Sequence, residues 1–165
     1  MIESVGRLER ARIPRVHFTA DGKVIKIFRQ KGVFTSNRIV PYARRFERNA
    51  ARLAALGVKS VAVERVAKCR ELDLHLAVYP RLPGASIREL AGDAEAQRAL
   101  ARLPGYLAEL HRKGVYYKAL HLGQILVLGG GGGDSTGAFA LLALPSARFR
   151  TGPPSVRARL RNFHN

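Results

Sequence analysis

The order of hydrophobic patterns predicts an α+β fold in two small lobes, running strands, helix, strands, longer helix, loop and strands. Three observations carry it. A strand-like stretch folds back at Asp21-Gly22, two stretches near 41–56 and 93–113 space their apolar residues as helices do, and short valine- and leucine-rich runs lie between and after them. A chain of 165 residues suits one substantial core and is short for two independent domains. We therefore read 1–165 as a single domain, with a first lobe over about 1–79 and a second over 80–165 that ends in a basic tail.

Each element has its own signal. Arg15 to Thr19 and Lys23 to Arg29 read as a β-hairpin, because Asp21-Gly22 supplies the positive-φ turn and Val24, Ile25, Ile27 and Phe28 suit a strand. A helix should run from about Pro41 to Leu56, stop at Gly57, and bury Ala43, Phe46, Ala50 and Leu53. Ser60 to Ala67 and Leu72 to Tyr79 read as strands, and Pro83-Gly84 as a loop. The longer helix should begin at the N-cap Asp93 and end before Gly114, with Ala96, Leu100, Leu103, Leu107 and Leu110 as its stripe and a kink or break at Pro104. Gly114 to Gly123 reads as a structured loop, and Gln124 to Leu128 and Ala138 to Leu144 as short strands joined by a flexible turn at Gly129 to Gly133. Ser155 to Phe163 can start a last helix.

Charge narrows the partners. Lys and Arg number 29 against 12 Asp and Glu, a net charge of +17, which favours phosphates, nucleic acid or an anionic membrane face. Cys69 is the only cysteine, so no internal disulfide forms, and a buried small apolar role is expected for it. The N-terminus shows no signal peptide, and no apolar run approaches the roughly 20 residues of a membrane span. These point to the cytoplasm. His17, His75, His111 and His164 show no metal-ligand spacing.

Val24-Ile25-Lys26 stands where a protein kinase carries its strand lysine, Glu47 is the natural helix partner for it, and Ala77-Val78-Tyr79-Pro80 looks like the hinge between lobes. The segment Leu110-His111-Arg112-Lys113-Gly114-Val115-Tyr116-Tyr117-Lys118-Ala119-Leu120-His121-Leu122-Gly123-Gln124-Ile125-Leu126-Val127 resembles the catalytic loop of the lipopolysaccharide core (Kdo/heptose) kinase family. It is especially similar to the small toluene-tolerance proteins grouped with that family, as are the strand Lys26-Ile27-Phe28-Arg29 and the helix from Arg45-Phe46 to Asn49. The resemblance runs from about Val16 to Asn162, and the order of the motifs carries it. It implies a protein-kinase-like fold with a small β-rich N-terminal lobe and a shortened C-terminal lobe. It also implies phosphoryl transfer from ATP to an inner-core sugar with Mg²⁺, at the inner face of the inner membrane.

The departures fall at catalytic positions. A kinase loop has the form His-Arg-Asp, four residues, then Asn. Aligned on Gln124, the histidine position is Tyr117 and the aspartate position is Ala119, and the second metal-binding aspartate falls at Ala143. Mg²⁺ takes oxygen ligands, which alanine lacks, and beyond Glu109 the only carboxylate side chain is Asp134 in the glycine-rich turn. Losing a general base costs about 10²–10⁴ in rate. Ala11-Arg12-Ile13-Pro14 replaces the phosphate-covering glycine loop. The glycine run Gly129 to Gly133 lacks the Gly-Lys-Ser/Thr ending of a P-loop. The expectation is a degenerate, pseudokinase-like member that binds ATP and Mg²⁺ weakly or not at all.

Candidate residues follow, each with a plainer role. Lys26, Glu47 and Tyr79 are the cofactor-binding candidates; Lys26 also reads as a solvated strand lysine and Glu47 as a surface glutamate. His121 and Gln124 are what remains for catalysis, though a loop-bonding histidine and a packing glutamine are the simpler readings. Arg148, Arg150, Arg157, Arg159 and Arg161 form an acid-free tail suited to lipopolysaccharide phosphates or an anionic membrane, or else a solvated face. Two rivals stand beside the main reading. One is an active sugar kinase with unconventional residues. The other is a basic nucleic-acid-binding protein, against which count the low aromatic content and the lack of a recognisable binding motif.

Overall fold

Strand β1 (Val16–Phe18) pairs antiparallel with β2 (Lys23–Arg29), setting Val16 opposite Lys26 and Phe18 opposite Val24. Gly22 takes φ +76°, and its N–H donates to Thr19 O at 3.2 Å, so Asp21-Gly22 turns the chain as expected. This computed structural model describes residues 16–29, 42–72, 74–117, 120–129, 138–142 and 144–152. The 11–14 segment, the glycine turn beyond Gly129 and the helix expected at 155–163 lie outside the described residues.

Helix α1 (Tyr42–Ala55) buries Ala43, Phe46, Ala50 and Leu53, together with Asn49. It closes with Gly57 at φ +64°, the Gly57 N–H donating to Ala54 O at 2.9 Å and the Val58 N–H to Leu53 O at 2.9 Å. That pair of bonds, with both Leu53 and Val58 buried, is a Schellman stop.

The next strand lies further on than the valines suggest. β3 spans Arg65–Cys69, not Ser60 to Ala67. Residues 59–61 are drawn instead toward a different sheet: the Leu141 N–H donates to Lys59 O at 3.1 Å, Ser60 bridges Leu141, and Val61 is buried. β4 (Leu74–Pro80) lies between β2 and β3, giving the order β1-β2-β4-β3. Between two neighbours β4 keeps its alternation, with His75, Ala77 and Tyr79 buried on one face and Leu74 buried on the other.

β5 (Ala85–Ser86) follows Gly84, whose φ is +110° and where a Cβ would stand 2.1 Å from Val127 O. The loop expected at Pro83-Gly84 therefore feeds a short strand. The Ser86-Ile87-Arg88-Glu89 run is a capping box: Glu89 Oε2 accepts from the Ser86 N–H and Oγ, each at 2.7 Å, and the Glu89 N–H donates to Ser86 Oγ at 3.2 Å. Those bonds hold the Glu89 carboxyl below its usual range.

α2 (Ala94–Arg112) starts after Asp93 as expected and runs without interruption through Pro104. Of the kink or break expected at Pro104, the break is absent. Its buried face is Ala96, Ala99, Tyr106, Leu107 and Leu110, while Leu100 is 44% exposed. Ala99, not Leu100, continues the stripe; the larger residue drew the expectation one position too far.

Beyond α2 the chain forms more strands than expected. β6 (Val115–Tyr117) pairs with β9 (Ala147–Phe149), and β7 (Ile125–Val127) lies between β5 and β8 (Phe139–Leu141). The presumed loop at 114–123 thus holds a strand, and 147–149 belongs to a sheet rather than a free tail. The architecture is α+β, and one hydrophobic cluster joins Phe46 and Tyr79 to Tyr106, Tyr117, Ile125, Phe139 and Leu144. No helix among the described residues is long and apolar enough to cross a membrane.

Candidate functional site

Lys26 sits in the middle of β2, opposite Ala77 of β4. Ala77 is fully buried, and Lys26 is half-buried beside it. Its Nζ donates to Leu142 O at 3.2 Å and lies 5.0 Å from the centre of the Phe46 ring. Burial pushes its pKa down from the ordinary 10.5 to about 8, with no opposing push from an acid.

The expected partner is elsewhere. Glu47 Oε2 accepts from Arg44 Nη1 at 3.1 Å on an exposed face of α1, so the Lys26–Glu47 pair does not form. A helix turns by about 100° per residue, and the apolar stripe of α1 presents Phe46 to the sheet. Glu47 is carried off that line. Around Phe46 lie Phe28, with ring centres 5.6 Å apart, and Tyr79, 5.5 Å apart. Tyr79 is therefore a core aromatic at the end of β4, and burial pushes its hydroxyl up to about 12.

Leu142 connects Lys26 to the loop candidates. Its N–H donates to Gln124 O at 2.9 Å while its carbonyl accepts from Lys26. Gln124 closes a one-turn helix, Leu122–Gln124. The Gln124 N–H donates to His121 O at 2.8 Å, and Gln124 Oε1 accepts from the His121 N–H at 3.3 Å. The glutamine oxygen is thus engaged by its own loop, and the His121 side chain is exposed. Ala119 and Ala143 lie outside the described residues.

What this arrangement can do chemically is limited. Lys26 bonds the Leu142 carbonyl, the Leu142 N–H bonds the Gln124 carbonyl, and Gln124 in turn bonds the backbone of His121. The described residues that meet there do not fit Mg²⁺, because they bring no carboxylate to the cation. Among the described residues no group of three or more His, Cys, Asp and Glu side chains stands ready to hold a metal.

The tail arginines divide. Arg148 lies on β9, half-buried, and its Nη1 donates to Ala147 O at 3.4 Å. Arg150 places its guanidinium 5.8 Å from the Tyr116 ring. Arg157, Arg159 and Arg161 lie outside the described residues. Asn49 was missed as a structural group. It is 3% exposed, and its Nδ2 donates to Leu144 O at 2.7 Å and to Ala147 O at 3.4 Å, which fixes α1 against β9. The signal was present in the sequence, as a polar residue inside the apolar stripe of a helix. Cys69 is half-buried, and its thiol lies 3.2 Å from Glu71 Oε2, so it is not the enclosed apolar residue expected.

The fold and site define a mixed α+β protein with a lysine-bearing antiparallel sheet set over a hairpin and loop. Neither a protein-family model nor a curated protein matches the sequence. Among solved structures the chain is similar to WbdD. A 2.2 Å crystal structure of WbdD superposes with a TM-score of 0.51 at 15% identity, over 78% of this chain and 29% of that one. WbdD crystallised with the kinase inhibitor LY294002 gives 0.51 at 16% identity, over 79% and 30%. Monomeric WbdD gives 0.51 at 16% identity, over 77% and 31%. The likeness is one of fold, and this chain spans less than a third of the WbdD chains it matches.

Proposed function

We propose that the chain is a kinase-fold protein connected with lipopolysaccharide core phosphorylation or envelope maintenance, and that its own phosphoryl transfer is impaired. The observation that carries the second part is the fate of Lys26. In a working site that ammonium pairs phosphates and a helix carboxylate. Here it donates to Leu142 O and faces Phe46, and Glu47 is committed to Arg44. Ala119 and Ala143 at the aspartate positions support the same reading. The kinase side is supported by the fold shared with WbdD, which binds a kinase inhibitor in one of its crystals. The envelope side rests on the resemblance of residues 110–127 to the core kinases, with a phosphorylated glycolipid or an anionic membrane face as the partner of a +17 chain.

The test is a thermal-shift titration with ATP, with and without Mg²⁺. We expect no Mg²⁺-dependent stabilisation at micromolar nucleotide. Clear stabilisation under those conditions would overturn the impaired reading and favour an active sugar kinase.

A further inference from the structure

Away from Lys26, α1 and β9 enclose a second concave surface. Arg45, Arg48 and Arg52 of α1 face Arg148 and Phe149 of β9 across a groove of about 450 Å³, with Asn49 in its wall. No Asp or Glu lines it. The spacing of 45, 48 and 52 places three cations on one helix face, and like charges three and four apart work against the helix. The helix carries that repulsion without local relief. Among the described residues, none of the four arginines has a carboxylate partner, and Glu47, which is on the same helix, is taken by Arg44.

The groove is built rather than incidental. Asn49, almost wholly buried, bonds Leu144 O and Ala147 O and so holds its two walls together. Arg52 stacks its guanidinium 4.3 Å from the centre of the Phe149 ring, and Arg45 lies 5.4 Å from that of Tyr42. A guanidinium held against a ring face is restrained, so less freedom is lost when its N–H fork takes an anion.

We propose that this groove binds a compact phosphate-bearing anion, a phosphomonoester or pyrophosphate group gripped by Arg45, Arg48, Arg52 and Arg148. Guanidinium forks match phosphate oxygens two at a time, and four of them balance a group carrying two or more negative charges. The volume suits one such group and its immediate substituent. A single-stranded nucleic acid needs an extended basic track with open aromatic faces, whereas the one ring lining this groove is already covered by Arg52. The inference is independent of the kinase reading, since Lys26 lies outside the groove.

The experiment uses the full chain at physiological salt, where the exposed part of a +17 field is largely screened. Inorganic pyrophosphate binding is measured by calorimetry. Cosedimentation is measured with vesicles carrying phosphatidic acid or, at matched surface charge, phosphatidylglycerol. Arg48→Gln/Arg52→Gln is compared with Arg65→Gln/Arg98→Gln, which removes the same charge from exposed positions outside the groove. Circular dichroism confirms that each variant is folded. The groove variant should lose at least about tenfold in pyrophosphate affinity and the control less than about twofold. Arg48→Lys/Arg52→Lys should also weaken binding, because it keeps the charge and loses the fork. Groove-dependent preference for phosphatidic acid would identify a lipid-borne monoester, and pyrophosphate binding without vesicle binding a free ligand. Equal losses in groove and control variants, or no binding of either probe, would overturn the proposal. So would groove-dependent binding of a single-stranded oligonucleotide tighter than that of pyrophosphate.

Discussion

The Lys26 ammonium lies 5.0 Å from the centre of the Phe46 ring, on the apolar stripe of α1. A ring face attracts a cation by about 1 kcal/mol or somewhat more when desolvated. It does not neutralise the charge, and the small help it gives the protonated form does not offset the loss of hydration, since the net shift is downward. Lys26 is therefore a half-buried cation whose lost hydration lowers its pKa, and its hydrogen bond to Leu142 O ties the four-stranded sheet to the segment after β8.

The first prediction follows from that pKa. The folded value of about 8 lies below the ordinary 10.5, so between these pH values the unfolded chain binds more protons at this site. The stability contribution of Lys26 therefore rises as pH rises through that window, and the full cost of burying the charge is present below it. Lys26→Met removes the dependence. Between pH 7 and pH 10, wild type should gain about 2 kcal/mol relative to the variant. Urea denaturation of both at the two pH values checks this, and a constant difference would mean that the lysine is solvated.

The site shows why part of it could be read in the sequence and part could not. Lys26 was legible, because an alternating strand after Asp21-Gly22 fixes its register. The choice between Phe46 and Glu47 turned on one helical residue, and the apolar stripe already held the answer: Phe46 belongs to it and Glu47 does not. Leu142 was out of reach, since its carbonyl meets Lys26 across 116 residues and carries no side-chain signal. β6 and β9 are three residues each, too short for alternation to register. The break expected at Pro104 failed for another reason. The proline lies within a helix whose remaining face packs on the core, and that packing outweighs the local cost.

Asn49 should behave as a structural tie. Asn49→Ala removes the donor to Leu144 O and Ala147 O and leaves a cavity at a site 3% exposed. We expect a loss of about 2–3 kcal/mol in chemical denaturation. Asn49→Asp should be no better, since an ionised carboxylate cannot donate to those carbonyls. A loss below about 1 kcal/mol for the alanine variant would show that α1 and β9 are held together by other contacts.

Two glycines with positive φ should respond differently to alanine. At Gly114, φ is +72° and a Cβ would stand 2.3 Å from Arg150 O, in the backbone pairing that joins β6 to β9. At Gly92, φ is +101° and nothing lies within 4 Å. Gly92→Ala should cost about 1–2 kcal/mol from backbone strain alone, and Gly114→Ala at least about 1 kcal/mol more because backbone must shift. Equal melting temperatures for the two variants would show that the β6–β9 pairing gives way without cost.

Tyr106 and Tyr117 supply the last prediction. Both rings are buried, and neither hydroxyl has a hydrogen-bond partner among the described residues. Burial pushes both hydroxyls well above the usual phenol range, and Tyr106 raises Tyr117 further, so the two polar ends lie near one another in an apolar setting. The Tyr106 ring packs 5.0 Å from that of Phe139, and removing a hydroxyl leaves this contact intact. A buried donor without a partner costs about 1–3 kcal/mol in desolvation. Tyr117→Phe and Tyr106→Phe should therefore be neutral or stabilising by up to about 1 kcal/mol each, against the usual sign for a core change. Because the two sites are neighbours, the double variant should depart from simple addition. Denaturation midpoints of the three variants decide the matter. A loss of more than about 1 kcal/mol in either single variant would mean that its hydroxyl is bonded after all. In the case of Tyr117 the hydroxyl would then be a polar anchor of β6 and not merely part of a core ring.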